Sequence, residues 1–299
     1  MKVPIFDHVL AEDLGFTEGP LWTCRGTVMA VGLSRGLVYE IDPADGSRIR
    51  SVEIGGRPNG LAEGAEGDVW VAQAGHRGAP PSIQRIRGDD ITTFAERFHA
   101  PNDLAFGPDG LLWFTDPAGH ALGGAPQPGR IWAMDSESGI FTLKAEGVLY
   151  PNGLAFSPTG DALLVAETAT ARILRFDYAA GMLEGPTLFA QMDNGHPDGI
   201  AFDQEGNLYV ASTDGRDVQI FSPHGELAEI IALPPQGFAT NLCFGGADAC
   251  TLYVTSAKGG MILSKPRSVP GLPLLKPQEL PATVFHLPTQ GLARLAASD

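Results

Sequence analysis

Short apolar runs bounded by Gly, Pro, Asn or Asp recur from one end of this chain to the other, and few stretches carry the 3.6-residue period of an amphipathic helix. Runs of this length, rich in β-branched and aromatic residues, read as strands separated by tight turns. The clearest example spans residues 150–168, Y-P-N-G-L-A-F-S-P-T-G-D-A-L-L-V-A-E-T. It reads as a Pro-Asn-Gly turn, an apolar strand, a second turn and a second apolar strand.

The same phrase returns with variations. Marking the residue before each Gly-Leu-Ala-like core gives Glu18, Asn59, Asn102, Asn152, Asp198 and Asn241, at intervals of 41, 43, 50, 46 and 43 residues. A second strand follows each mark: V-M-A-V (28–31), V-W-V-A (69–72), L-W-F-T (112–115), L-L-V-A (163–166), L-Y-V-A (208–211) and L-Y-V-T (252–255). Third strands such as G-R-I-W-A-M-D (129–135) and less regular fourth segments complete the unit. Four short strands at this period are a propeller blade, and six repeats predict an all-β, six-bladed β-propeller of antiparallel four-stranded blades. No composition shift divides the chain, so residues 1–299 read as one domain. Two segments compete to close the ring as the outer strand of the last blade: Val3–Leu10 and T-V-F-H-L (283–287). Between the last repeat and that second candidate, Lys265–Pro281 is a Pro-rich excursion.

Charge narrows the function. A net charge of −15 argues against a nucleic-acid backbone as partner and favours attraction of cations. No run approaches the length of a membrane span, and the start, V-P-I-F-D-H-V-L, does not read as a signal peptide. Cys24, Cys243 and Cys250 form neither an even framework nor a Cys-x-x-Cys motif. A reduced, cytoplasmic protein is the default reading.

The inner strand of each blade lines the central channel, so the six marks should converge near the axis on one face. Asn followed by Gly has a plain explanation, since its side chain bonds the local backbone and tolerates turn conformations. Glu18 does not fit that explanation, because Glu is no turn specialist. Two carboxylates, Glu18 and Asp198, converging with amides are costly unless paired or metal-bound, and no Lys or Arg shares the register. Such an oxygen-rich set suits Ca²⁺, Mg²⁺ or Mn²⁺.

These residues resemble the gluconolactonase/regucalcin family of six-bladed propellers. The matching pieces are E-G-P-L-W (18–22), P-N-D-L-A-F-G-P-D-G-L-L-W-F-T-D-P (101–117), P-N-G-L-A-F-S-P (151–158) and P-D-G-I-A-F-D-Q-E-G-N-L-Y-V-A (197–211). The resemblance implies one divalent cation, most often Ca²⁺, with Mg²⁺, Mn²⁺, Zn²⁺ or Fe²⁺ as alternatives, held by Glu18, Asn152 and Asp198. Asn102 matches a position that contacts substrate and sometimes the metal. The implied substrate is a small lactone. Ala100 stands where sugar-lactonase members often carry an Arg that grips substrate oxygens, which loosens the assignment to aldonolactones.

The implied chemistry is metal-assisted hydrolysis, with Asp198 as candidate base. No Gly-x-Ser-x-Gly elbow offers a serine nucleophile. The second strands should end on the same face, bringing Gln73, Asp116, Glu167 and Ser212 near the site, with Glu167 as possible support for a ligand. The loops Ala74–Ser82, containing His76 and Arg77, and Pro117–Gly129, containing His120, are long enough to form a substrate rim. His120 and His99 are candidate substrate contacts, and His196 lies at the pocket edge. Phosphotriester hydrolysis, or other chemistry at the same ligands, and a non-catalytic interaction module are the alternatives.

Overall fold

The computed structural model describes residues 5–6, 8–76, 78–94, 98–118 and 125–277. They form six antiparallel four-stranded sheets arranged as the blades of a propeller. The innermost strands are Thr17–Trp22, Pro58–Glu63, Leu104–Phe106, Pro151–Phe156, Pro197–Phe202 and Ala239–Gly245. The strands next to them, such as Val28–Gly32, Val69–Gln73 and Leu112–Asp116, are buried at every position. Sandwiched between neighbouring blades, they carry continuous apolar runs rather than alternation. Outer strands such as Asp90–Phe94 and Met182–Gln191 are largely exposed.

The core is not central. It is divided into six apolar clusters, one in each interface between neighbouring blades. Trp70 joins Phe98, Leu104 and Phe114 between blades two and three, and Trp113 joins Leu154, Phe156 and Val165 between blades three and four. This leaves the axis itself free for other chemistry.

The last blade settles the closure. Its order runs from Ala239–Gly245 through Thr251–Ser256 and Met261–Pro266 to His8–Ala11, with His8 paired to Ser264 and Val9 to Leu263. The N-terminal candidate therefore supplies the outer strand, while the segment 283–287 lies outside the described residues. The Pro-rich stretch crosses beneath the ring as a strap. Along it, Arg267 N–H donates to Cys250 O, Gly271 N–H to Ala249 O and Leu272 N–H to Phe202 O, and Gln204 N–H donates to Pro270 O. The strap ends on blade two, where Lys276 Nζ lies 2.7 Å from the buried carboxylate of Glu63. Among the described residues no helix is long and apolar enough to cross a membrane.

The structure revises the turn expected at Pro-Asn-Gly. These residues already belong to the inner strands, and the irregularity is a bulge: pairing skips between Pro58 and Leu61, Pro151 and Leu154, and Pro197 and Ile200. Gly19 alone among the following glycines is left-handed, at φ +50°. The others are needed because neighbouring inner strands touch there. A Cβ on Gly153 would stand 2.5 Å from Asp198 O and 2.8 Å from Gly199 Cα.

Candidate active site

The marked residues lie at the end of the channel where the inner strands begin, called here the upper mouth. Glu18, Asn59, Asn102, Asn152 and Asp198 are all buried, and charge and hydrogen bonding link Glu18, Asp198 and Asn152 to one another. The sixth position needs correction. Asn241 N–H donates to Thr255 Oγ1 and Asn241 Oδ1 accepts from Leu242 N–H, just as Asp103 N–H donates to Thr115 Oγ1 and Asp103 Oδ1 accepts from Leu104 N–H. Asn241 thus occupies the level of Asp103, one residue further into the channel, and Thr240 holds the marked position. The Thr240 hydroxyl is engaged with Thr17 O at 2.7 Å.

Asp103 is the site residue missed by sequence reasoning. Where four other blades place Gly beside the neighbouring strand, blade three places a buried carboxylate, and Asn-Asp in place of Asn-Gly was its signal. Burial pushes Asp103 up to about 6, although Leu104 N–H, the Asn241 side chain and Leu154 N–H all bond it. Glu18 is pushed well above the usual carboxylate range by burial, then by the charges of Asp198 and Asp103, against one bond from Gly19 N–H. Asp198 is raised the same way by burial and by Asp103, against a hydrogen bond from the Asn152 side chain. Tyr150 adds a phenol raised by burial and by the charges of Asp198 and Glu18. It stands at φ +59°, an uncommon conformation for a bulky residue.

Three carboxylates therefore share one low-dielectric mouth, and among the described residues no cation contributes to lowering Glu18 or Asp198. Like charges buried together without a counter-charge strongly favour binding of a proton or a cation. Among the described residues no group of three or more His, Cys, Asp and Glu side chains has a metal-holding arrangement. Two carboxylates, Glu18 and Asp198, lie together here, and the Asn152 side-chain amide donates an N–H to Asp198, leaving its carbonyl oxygen as a further oxygen donor. Oxygen donors of this kind fit a hard divalent ion.

The polar residues ending the second strands have a different task from the one considered above. Gln73 Oε1 accepts from Arg57 N–H and Gly75 N–H, Asp116 Oδ1 accepts from His99 N–H and Ala100 N–H, and Glu167 Oε2 accepts from Leu149 N–H. They fix the backbone leading into the inner strands of blades two, three and four. Glu167 is further engaged by Arg172 and Thr170, so it supports the loop rather than a ligand. His99 is exposed and its charge acts on Asp116, and no contact links it to Glu18 or Asp198. His196 Nδ1 lies 3.0 Å from Asp214 Oδ1 at the mouth's edge. His120 lies outside the described residues.

Below this level the inner strands line a cavity of about 970 Å³. Its walls include Leu21, Leu61, Phe106, Phe156 and Phe202, and Leu272–Lys276 of the strap borders its lower end. Asp103 and Asn241 border it from above, whereas Glu18, Asn152 and Asp198 do not line it.

Comparison with known proteins agrees with this architecture. The family model described as SMP-30/gluconolactonase/LRE-like region matches residues 16–258. The gluconolactonase of Zymomonas mobilis is 28% identical, with 84% of this chain and 78% of that protein covered. Regucalcin of Xenopus laevis is 29% identical, covering 85% of this chain and 87% of its own. The solved gluconolactonase of Xanthomonas campestris is 25% identical at a TM-score of 0.75, with 90% of this chain and 96% of that one superposed.

Proposed function

Since the chain belongs to the SMP-30/gluconolactonase/LRE-like family, we propose that it hydrolyses a small lactone at the upper mouth, with a divalent cation held by Glu18, Asn152 and Asp198. Asn102 serves as a further ligand or as a contact to the substrate. Ca²⁺ is the first choice among ions, by the hard oxygen donors and by the resemblance to regucalcin. The observation that carries the reading is the burial of Glu18 and Asp198 together, each raised by its surroundings and neither opposed by a cation among the described residues.

Bound there, such an ion supplies Lewis acidity toward a carbonyl oxygen and stabilises the negative charge that develops on it. The protein's own groups handle position and protons. The Asn152 side chain holds the Asp198 carboxylate in place, and the Asn102 amide is presented by a backbone that Asp116 ties down at residues 99 and 100. Asp198 accepts a proton from water as its oxygen adds to the lactone carbonyl carbon. The ring carbon–oxygen bond then breaks, and the ring oxygen leaves as the hydroxyl of the product hydroxy acid. Burial of the mouth keeps bulk water from weakening these interactions.

Lactone opening followed with and without a chelator tests the reading. Loss of turnover on chelation, and its return on adding Ca²⁺ or Mn²⁺, is the expected result. Full activity in a metal-stripped protein or in Glu18→Gln would sink it.

A further inference from the structure

The lower cavity is bordered by a ring of residues in common register. In five blades an aromatic residue near the end of the inner strand pairs with an aliphatic one at the start of the second. The pairs are Trp22 with Val28, Phe106 with Leu112, Phe156 with Leu163, Phe202 with Leu208 and Phe244 with Leu252. Blade two has Glu63 at this level, paired with Val69. All six residues border the cavity of about 970 Å³, so five aromatic side chains and one carboxylate meet the same space.

Glu63 is a costly residue to place there. Its side chain is only 4% exposed, and a carboxylate taken out of water needs a partner. The neighbouring blade supplies the Cys24 N–H, 2.9 and 3.0 Å from the two carboxylate oxygens. The charge is met by Lys276 Nζ, 2.7 Å from Oε2. That lysine belongs to the strap and not to a blade. The strap is anchored on blade five, where Leu272 N–H donates to Phe202 O, and Lys276 reaches blade two, which stands opposite in a six-bladed ring. Between these points no hydrogen bond among the described residues holds residues 273–275, and Leu274 and Leu275 are exposed. The strap is thus latched over the cavity by one ion pair, whose lysine is partly in water, and such a pair is worth only about 1 kcal/mol.

An ammonium on Glu63 is therefore the chemistry this place already accepts. A ligand that brings its own ammonium on an apolar body would neutralise Glu63 as Lys276 does and also bury apolar surface in the cavity. A cation gains further from aromatic neighbours, and the net charge of −15 draws cations toward the protein. We propose that the lower cavity is a second binding site, for a small apolar amine whose ammonium displaces Lys276 from Glu63 and whose body lies among Phe106, Phe156 and Phe202. Binding frees the blade-two end of the strap. The site is distinct from the acidic mouth, since Glu18, Asn152 and Asp198 do not line this cavity.

The test is calorimetry on the full-length protein with 2-phenylethylamine and, as its uncharged counterpart, 2-phenylethanol. Lys276→Met removes the competing ammonium, and the amine should bind this variant about fivefold more tightly than the unaltered protein, while the alcohol binds both alike. Glu63→Gln should weaken amine binding at least about tenfold and leave the alcohol unchanged. Ala105, half-buried at the cavity wall, gives a steric control: Ala105→Phe should weaken both probes. Failure of the amine to bind Lys276→Met, equal binding of amine and alcohol there, or amine binding that survives Glu63→Gln overturns the proposal. Should Glu63→Gln fail to fold, as its melting curve would reveal, the preference for amine over alcohol in Lys276→Met decides alone.

Discussion

The two ends of the channel are built by the same six strands and have opposite characters. At the upper mouth Glu18, Asp198 and Asp103 are buried together and all three are raised. At the lower end the buried Glu63 has partners: burial works against its charge, but Lys276 and the N–H of Cys24 prevail and hold it below the usual carboxylate range. One end holds carboxylates that no cation among the described residues neutralises. The other neutralises its acid and is otherwise apolar. A strand that enters polar and leaves apolar thus divides the axis between reactivity and cohesion, and the contrast says where substitutions will cost activity and where they will cost stability.

Removing charge from the upper end is the sharpest way to break that contrast. Asp198→Asn and Glu18→Gln should each lower lactone hydrolysis by roughly a thousandfold or more, the scale of losing a group that acts in the transition state. Both should raise the melting temperature of the metal-free protein, because each removes one of the crowded buried charges. A calorimetric scan paired with an activity assay checks the opposite signs.

Next comes the contact that lets the strands converge. Gly153→Ala places a methyl against the backbone of Asp198 and Gly199, and should destabilise the fold by about 1–3 kcal/mol, the usual cost of overpacking. Denaturant unfolding measures it. At the lower end, Lys276→Met leaves Glu63 with the Cys24 N–H but no cation. Because Lys276 is 40% exposed, the expected loss is about 1 kcal/mol, with kcat/KM unaltered.

The smallest effect concerns pH. Asp103 is raised from 3.8 to about 6 in the folded chain. Its folded form therefore holds a proton that the unfolded form has already lost. The stability it contributes is full below about pH 4 and disappears as pH rises through 6. Metal-free protein should accordingly melt a few degrees lower at pH 7 than Asp103→Asn does, with the gap narrowing toward pH 5. A salt-bridged acid would show the reverse trend.

Much of this was legible in the sequence because a repeat declares its own register. The marks located all six blades, and three of the marked residues, Glu18, Asn152 and Asp198, interact with one another. The sixth failed for a local reason. Leu242-Cys243-Phe244 imitates Leu154-Ala155-Phe156, but the residue before it fills the level of Asp103 and Gly153, so counting back one position from the core chose Asn241 instead of Thr240. Asp103 was overlooked because its level reads as a Gly slot needed for close approach, and nothing local says that a carboxylate can occupy it. The bulges escaped for a similar reason. Pro-Asn-Gly has strong turn chemistry of its own, and only the neighbouring blade keeps it extended.

The closure by His8–Ala11 bears on how the ring comes into being. Its partner strand ends at Pro266, some 250 residues later, so this strand waits for one made much later. Blades one to five can pair internally as they emerge, but the sixth is only a three-stranded sheet until His8–Ala11 joins it. Assembly should therefore pass through an open arc whose Met261–Pro266 edge is unpaired. A protein lacking residues 1–11 should linger in that arc, prone to pairing with its neighbours in solution.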